Sequence, residues 1–299
     1  MAEELEIKLS LEQNCLKSAL DWLLAQNEAS KGCKKSLVNC YYDTPDAQLN
    51  RQHAALRIRH SGEKYIQTLK TRGELVNGAH RRGEWEWELT SPSLSLCLLA
   101  DTPLKKNIDL SLLAPVFETN FTRQVVMLDD GEAVIECALD SGVIVAGSRQ
   151  KPLHEVEFEL KSGNPSRLLV WAERLAWQCP VFLNLISKAE QGYHLAGIQE
   201  ATPKETENDG MAPDSFDEID RLLKRLSDAW LEQSTVSLEG LDLPLLGAQA
   251  EACDLGEIFS GLVKDLASGG GISYLLGKPE LGQCQLGLLA SRARQSAGP

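Results

Sequence analysis

Charged side chains recur at every second position in several short segments of this 299-residue chain. Near the start, Glu4, Glu6 and Lys8 alternate with leucine and isoleucine, and Arg57 and Arg59 repeat this spacing further along. Two more segments share the pattern, and their charged residues are Arg82, Glu84, Glu86 and Glu88, then Glu155, Glu157 and Glu159. Glu136 and Asp140, four residues apart, would share a face too. Because residues i, i+2 and i+4 of a β-strand point to one face, each segment is predicted to be a strand with one charged face.

The acidic residues are suited to bind a divalent metal ion, and the basic residues are suited to bind phosphate groups. Carboxylate oxygens and water are the ligands that Mg²⁺ and Mn²⁺ prefer, and Mg²⁺ is commonly held by one or two carboxylates together with the phosphates of a substrate. Arginine grips phosphate oxygens through two parallel hydrogen bonds, whereas lysine acts as a point charge. The candidate phosphate-binding residues are Lys8, Arg57, Arg59, Lys70, Arg82, Arg123 and Lys188. If the acidic and the basic residues line the same interior, together they would form a site for a metal-bound oligophosphate.

A single strand of this kind is compatible with an ordinary sandwich whose charged face is solvated. The set as a whole argues against a sandwich, because like charges at i and i+2 repel unless a counter-ion or water lies between them. Trp85 and Trp87, which alternate with the glutamates of one strand, need burial on its opposite face. A closed barrel with a charged, hydrated interior and an apolar outer wall satisfies both demands. The sequence therefore predicts a tunnel.

The chain divides into two parts near residue 200. Residues 1–200 are predicted to form an α+β domain, residues 201–213 a polar linker with two prolines, and residues 214–299 a small all-α domain. Helices around the barrel are predicted at 11–28, 92–100, 165–178 and 187–197, on the outside of the sheet. A further helix at 215–234 carries an apolar stripe and is expected to dock against the barrel.

Composition limits the partners of the protein. The chain has 43 acidic and 30 basic residues, a net charge of -13, which argues against a broad nucleic-acid-binding surface. An acidic N-terminus and the lack of a long apolar run predict a cytoplasmic protein without a membrane partner. The eight cysteines show no Cys-x-x-Cys spacing, so neither a zinc site nor a disulfide framework is indicated.

Several short blocks resemble one family. Glu4-Leu-Glu-Ile-Lys8 is similar to the E-x-E-x-K signature of the CYTH family, the triphosphate tunnel metalloenzymes. Further blocks follow in the order of that family: Tyr41-Tyr-Asp-Thr-Pro-Asp46, Leu56-Arg-Ile-Arg59, Gln67-Thr-Leu-Lys70, Arg82-Gly-Glu-Trp-Glu86, Thr122-Arg123, Ala138-Leu-Asp-Ser-Gly142, Glu155-Val-Glu-Phe-Glu-Leu160 and Ser187-Lys188. The resemblance implies an eight-stranded antiparallel β-barrel tunnel with surrounding helices, and a triphosphate bound inside it.

The resemblance also implies roles for single residues. Metal ligands would be Glu4, Glu6, Asp140, Glu155, Glu157 and Glu159, and two Mg²⁺ or Mn²⁺ ions are expected. The pair in the last strand stays open, with Glu157 and Glu159 favoured. The expected catalytic residues are Lys8, Arg59, Lys70, Glu136 and Asp140, the two acids being candidates for the ion that positions water. Glu84 and Glu86 are either ligands or partners of the arginines, and Tyr41 or Tyr42 is either a proton relay or part of the wall.

A barrel followed by an all-α region resembles the bacterial inorganic triphosphatases, which carry a C-terminal CHAD domain. The expected activity is that of a hydrolase, which cleaves inorganic triphosphate (tripolyphosphate) to pyrophosphate and phosphate. Thiamine triphosphatase, adenylate cyclase and a non-catalytic polyphosphate sensor are the alternatives. Residues 214–299 are shorter than a CHAD domain and contain no histidine, so they are interpreted as a reduced or diverged CHAD-like region. The expected ligand is inorganic triphosphate or another small triphosphate, with polyphosphate as a further candidate.

Overall fold

The computed structural model describes residues 2–71, 74–76, 78–104, 108–198, 218–269 and 271–296. The predicted linker at 201–213 and the first residues of the predicted helix at 215–234 lie outside these ranges. The division into two domains therefore stays a prediction.

Eight antiparallel strands close into a barrel, as expected. They are β1 (Ala2–Ser10), β2 (Ala29–Asp43), β3 (Ala55–Ser61), β4 (Lys64–Lys70), β6 (Ala79–Leu89), β7 (Ala114–Asp129), β8 (Ala133–Ala146) and β9 (Arg149–Gly163). Around the barrel the order is β1-β9-β8-β7-β2-β3-β4-β6, and β6 pairs with β1 to close it. Two short strands, β5 (Glu74–Val76) and β10 (Phe182–Leu183), pair with β6 and β1 respectively. The predicted α+β class and antiparallel barrel are confirmed.

Helices flank the barrel and form the described C-terminal part of the chain. They are α1 (Gln13–Leu24), α2 (Gln48–Arg51), α3 (Ser166–Ala176), α4 (Lys188–Ala196), α5 (Glu218–Glu232), α6 (Leu243–Glu251), α7 (Gly256–Ala267), α8 (Ile272–Leu275) and α9 (Pro279–Ser296). The helix predicted at 92–100 is reduced to a single 3-10 turn at Leu96–Leu99. Its start is diverted because the Ser95 backbone N–H donates to Gln67 Oε1 at 2.8 Å, in place of a helical bond. None of the helices in these ranges combines the length and the apolar run that a membrane crossing requires.

The outer wall of the barrel is apolar, as the alternation predicts. Ile7 and Leu9 on β1 and Phe158 on β9 are fully buried in one hydrophobic cluster with residues of α1 and α3. Trp85 and Trp87 lie on the outer face of β6, where they are half-buried against a second cluster. Burial of this apolar face is the main source of stability for such a sheet.

Helix α4 departs from the expected outside position. Tyr193 of α4 packs against the inner-face residues Phe117 and Tyr41, with 5.1 Å between the Tyr193 and Phe117 ring centroids. Gly192 permits this approach, because a Cβ there would lie 2.0 Å from the Phe117 ring. The helix begins with a capping box, in which Ser187 Oγ accepts from the Glu190 N–H and the Glu190 carboxylate accepts from the Ser187 N–H. These contacts bring the first residue of α4, Lys188, into the barrel interior.

The C-terminal helices dock against the barrel, as expected for α5. Ile219, Leu222 and Leu226 of α5 belong to the same buried cluster as the outer wall of β1 and β9. Gln285 of α9 accepts from the Leu183 N–H at 2.9 Å and donates to the Leu183 carbonyl at 3.1 Å. Ser227 Oγ of α5 accepts from the backbone N–H at position 185, at 3.1 Å. Helices and barrel therefore share one continuous core.

Asp130, in the turn between β7 and β8, fixes α3 to the barrel. Its Oδ2 accepts from Arg167 Nε at 2.8 Å and from Trp171 Nε1 at 2.7 Å. Burial acts to raise the pKa of Asp130, but these bonds outweigh it and lower the pKa to about 2. The carboxylate therefore stabilises the fold above the pKa of about 4 that Asp has in the unfolded chain, and its contribution is lost as the pH falls toward 2.

We predict that Asp130→Asn lowers the free energy of unfolding by about 2 kcal/mol at about pH 7, because hydrogen bonds to a charged acceptor are lost. The difference from wild type should shrink as the pH falls from about 5 to about 2, in urea denaturation curves recorded across that range. The control is Asp21→Asn, which removes an exposed pair with Lys17 and should cost less than about 0.5 kcal/mol. Equal stability of Asp130→Asn and wild type at neutral pH would contradict this role.

Candidate active site

The barrel interior contains a cavity of about 560 Å³ whose walls carry acidic and basic side chains. Most residues expected to bind metal or phosphate line it: Glu4, Glu6, Lys8, Arg57, Arg59, Lys70, Arg123, Glu136, Glu157, Glu159 and Lys188. Glu84 and Glu86 line it too. Asp140 and Glu155 are instead fully buried and do not line it. Arg82 lies on β6, but its side chain is outside the described part of the structure.

Two glutamates and two arginines face each other across the cavity. In the closed strand order, three strands separate β9 from β3 in either direction, so the two strands face each other across the interior. Strand β9 carries Glu157 and Glu159, whereas β3 carries Arg57 and Arg59. A molecule bound in the cavity can therefore contact carboxylates on one side and guanidinium groups on the other.

Three glutamates form a row across neighbouring strands, which we call the acidic row: Glu6, Glu159 and Glu136. Glu159 on β9 lies directly opposite Glu6 on β1 and directly opposite Glu136 on β8. Directly opposed residues of antiparallel strands have Cβ atoms about 4.5–5.5 Å apart, and like charges there destabilise the pair. Burial raises the pKa of Glu159, and the neighbouring Glu4 and Glu136 raise it further, against the opposing effect of Lys161. The row therefore favours a cation.

A second acidic group lies deeper, and we call it the buried cluster: Asp140, Glu155 and Glu157. Among the described residues, these three bring carboxylate oxygens within 4.8 Å of one another. Arg123 donates to both oxygens of Asp140 at 2.7 Å and to Glu157 at 2.6 Å. Lys188 Nζ lies 2.8 Å from Asp140 and 2.8 Å from Glu157, and it also pairs with Glu155. Two cations of the protein itself thus occupy this cluster.

The two glutamates of the buried cluster respond differently to their surroundings. Burial raises the pKa of Glu155 to about 7. For Glu157, burial acts in the same direction, but Lys188 and Arg123 outweigh it and hold its pKa well below the usual value. Glu157 is therefore the ionised partner of both cations, and its carboxylate also reaches the cavity.

The arginines on β3 are held by residues of β2. Arg57 Nη1 donates to the Tyr41 hydroxyl at 3.3 Å, and Arg59 Nε donates to Asn39 Oδ1 at 2.9 Å. Asn39 is itself fixed by a bond of 2.9 Å from Nδ2 to the Thr119 carbonyl. Burial lowers the pKa of Arg59 to about 10, with a further effect of the neighbouring guanidinium groups of Arg57 and Arg123. Crowded cations at this wall favour an anionic ligand.

The remaining predicted residues also have defined contacts. Lys8 is buried and donates to the Ile186 carbonyl, and Lys70 Nζ lies 2.5 Å from Glu4 and 3.5 Å from Glu84. Glu84 Oε1 also lies 3.9 Å from Arg57 Nη2, so Glu84 is a partner of an arginine, which was one of its two expected roles. Tyr41 lines the cavity and stacks on Phe117 at 4.5 Å between ring centroids, whereas Tyr42 packs on the outer face.

Several cavity residues were missed in the sequence. Asp220, Lys224, Ser227 and Asp228 of α5 line the cavity with a side of that helix next to its apolar stripe. They are spaced by one or two helical turns, so the sequence could have shown that they share one side of a helix. The spacing does not reveal which surface that side faces. Lys161, which follows Glu159 by two residues on β9, also lines the cavity, as does His80. Asn39 could have been found from its position two residues before Tyr41.

The fold and the site together define a closed antiparallel barrel with carboxylates and cationic side chains around one cavity. A family model described as the CYTH domain matches residues 2–193. The chain belongs to the CYTH family, as the sequence motifs indicated. An inorganic triphosphatase of Haemophilus influenzae is 34% identical over 201 residues, which are 67% of this chain and 56% of that protein. The chain thus spans little more than half the length of this relative.

The solved structures to which the chain is similar are more distant in sequence. A Hippeastrum protein, described as a candidate adenylyl cyclase with a dominant triphosphatase activity, is 20% identical, covers 64% of this chain and 95% of its own, and has a TM-score of 0.49. A candidate adenylate cyclase from Bacillus halodurans is 20% identical, covers 70% of this chain and 97% of its own, and has a TM-score of 0.39.

The contacts of Asp140 predict its effect on stability. Asp140→Asn leaves Arg123 and Lys188 with less compensating charge in a buried place, so the free energy of unfolding should fall by about 3 kcal/mol in metal-free buffer. Urea denaturation measures the change. The control Glu88→Gln affects an exposed pair with Lys64 and should cost less than about 0.5 kcal/mol. If Asp140→Asn were as stable as wild type, the buried cluster would not be held by these ion pairs.

Proposed function

We propose that this chain hydrolyses inorganic triphosphate to pyrophosphate and phosphate, with divalent metal ions bound in the barrel. The observation that carries the proposal is the placement of the acidic row across the cavity from Arg57 and Arg59. A triphosphate can present oxygens to metal ions on one wall and to guanidinium groups on the other. The similarity to an inorganic triphosphatase over 201 residues supports the choice of substrate.

The acidic row offers only carboxylate oxygens, which are the atoms that Mg²⁺ and Mn²⁺ prefer as ligands. Glu6, Glu159 and Glu136 are in register on adjacent strands, Glu4 lies two residues before Glu6 on the same face, and all four line the cavity. We propose these four residues, with Glu157 beside them, as the ligands of two ions. When bound, such ions neutralise phosphate oxygens and lower the pKa of a coordinated water.

For Asp140 and Glu155 we propose a different contribution from direct metal binding. Both are fully buried, and both face Arg123 or Lys188 at ion-pair distance. They would hold these two cations at the cavity wall, which Arg123 and Lys188 line and where both would contact the phosphates. Asp140 would thus act through Arg123.

Different residues of the cavity would have different roles in phosphoryl transfer. Arg57 and Arg59 would bind the terminal phosphate and stabilise the charge that spreads over its oxygens as the water attacks and the pyrophosphate leaves. Asn39 fixes the direction of the Arg59 guanidinium before the substrate arrives. Lys8 and Lys70 would bind the remaining phosphates, and Glu136, at the end of the acidic row, would orient the attacking water. Arg82 stays in the proposed phosphate-binding set.

The direct test is a substrate panel. Purified protein with Mg²⁺ or Mn²⁺ should release phosphate from tripolyphosphate with a higher kcat/KM than from thiamine triphosphate or ATP. Formation of cyclic AMP and pyrophosphate from ATP would assign the site to a cyclase instead. Tight binding of tripolyphosphate without turnover at any concentration of divalent metal would assign it to a sensor. Isothermal titration and phosphate release on one preparation separate these outcomes.

We predict that Arg59→Ala lowers kcat/KM for tripolyphosphate at least about tenfold, because charge-assisted contacts to the phosphoryl group are lost in the transition state. Arg59→Lys should be intermediate, since it keeps the charge and loses the paired hydrogen bonds. The melting temperature should not fall, because the protein environment already disfavours the charge of Arg59. Steady-state kinetics and a thermal melt on the same samples measure both effects.

The matched control is Arg51→Ala, which removes an exposed arginine 3.6 Å from Asp46. It should leave kcat/KM and the melting temperature near the wild-type values. A variant Arg59→Ala that loses stability and keeps its kcat/KM would show that Arg59 only neutralises the acids of the barrel.

A further inference from the structure

Lys161 places an ammonium group beside the acidic row. It lies two residues after Glu159 on β9, so its side chain shares the inner face and lines the cavity. Lys161 Nζ is 2.6 Å from Glu159 Oε1 and 3.7 Å from Glu136 Oε2. One ammonium therefore bridges two of the three carboxylates of the row.

The position of this ammonium overlaps with the place that a metal ion needs. The other nearby cations have partners elsewhere: Lys70 pairs with Glu4 and Glu84, and Lys188 pairs within the buried cluster. Two positive charges within about 4 Å of each other repel by several kcal/mol at the effective dielectric constant of a protein surface. A divalent ion bound to both Glu159 and Glu136 therefore requires Lys161 Nζ to move away.

The side chain of Lys161 is able to move. It is 37% exposed, whereas that of Lys188 is 8% exposed. A lysine side chain has a flexible four-carbon stem, and its ammonium is strongly hydrated, so the group can exchange a carboxylate for water.

We propose that Lys161 is a tethered counter-ion of the acidic row that competes with the divalent metal. Without metal, its ammonium offsets the repulsion between Glu159 and Glu136 and stabilises the barrel. When metal binds, the ammonium leaves, and the free energy of that displacement is subtracted from the metal affinity. The inference rests on the proposed metal site at the acidic row.

The experiment is a calorimetric titration of metal-free protein with Mn²⁺, in the absence of any phosphate compound. Lys161→Met keeps most of the apolar stem and removes the charge, so it should bind Mn²⁺ about three- to thirtyfold more tightly than wild type. Lys161→Arg keeps the charge and should stay near wild type. The control Lys64→Met removes the same charge from an exposed pair with Glu88, outside the cavity, and should also stay near wild type.

A thermal melt gives a second readout that does not depend on activity. In EDTA, Lys161→Met should melt at a lower temperature than wild type, and saturating Mn²⁺ should remove or reverse this difference. An unchanged or weaker Mn²⁺ affinity of Lys161→Met would overturn the inference, and so would a melting difference that Mn²⁺ does not alter.

Glu159→Gln separates a failure of the inference from a failure of the proposed site. If wild type binds Mn²⁺ and Glu159→Gln binds it much more weakly, the acidic row is the metal site, and the Lys161 variants test the counter-ion alone. If Glu159→Gln binds Mn²⁺ as wild type does, the proposed metal site itself is wrong.

Discussion

Carboxylates and cations share the closed interior of this barrel, where water screens their charges less than it does at an open surface. Each acidic strand therefore has to face a source of positive charge. Arg123 and Lys188 supply it for the buried cluster, Lys70 supplies it for Glu4, and Lys161 supplies it for part of the acidic row. Charge matching inside the barrel determines which carboxylates stay available to an external cation, and hence where a metal ion can act.

The apolar wall makes this interior possible. The buried outer faces of β1 and β9 pack against α1, α3 and the C-terminal helices, so the part of the inner face that lines the cavity does not have to supply a hydrophobic core. Helix α4 enters from one end because Gly192 can lie against Phe117, and this packing delivers Lys188 to the buried cluster. Helix α5 presents its polar side to the same cavity while its apolar side anchors it. The outer faces of the strands thus mainly stabilise the fold, and the inner faces around the cavity mainly position the site residues.

The sequence predicted the barrel and its charged face, because alternation along a strand is a local property that Glu4, Glu6 and Lys8 display directly. The pairing of Asp140 with Arg123 was not predictable, since it depends on the register between β7 and β8. The sequence could not separate Glu155, which is buried against Lys188 of α4, from Glu159, which faces the cavity, because the packing of α4 is tertiary. The 3-10 turn at Leu96–Leu99 was mistaken for a helix because the bond between Ser95 and Gln67 is tertiary. The roles of these residues in binding metal and phosphate stay predictions.

The central claim is that the metal ions bind the acidic row, with Glu4 and Glu157 beside it, and leave Asp140 and Glu155 to the protein's own cations. Anomalous diffraction at the manganese edge, on crystals grown with Mn²⁺ and a non-hydrolysable triphosphate analogue, tests it directly. The account predicts a manganese peak between Glu6, Glu159 and Glu136, with phosphate density reaching Arg57 and Arg59 on the opposite wall. A manganese peak between Asp140, Glu155 and Glu157, with Lys188 displaced, would contradict it.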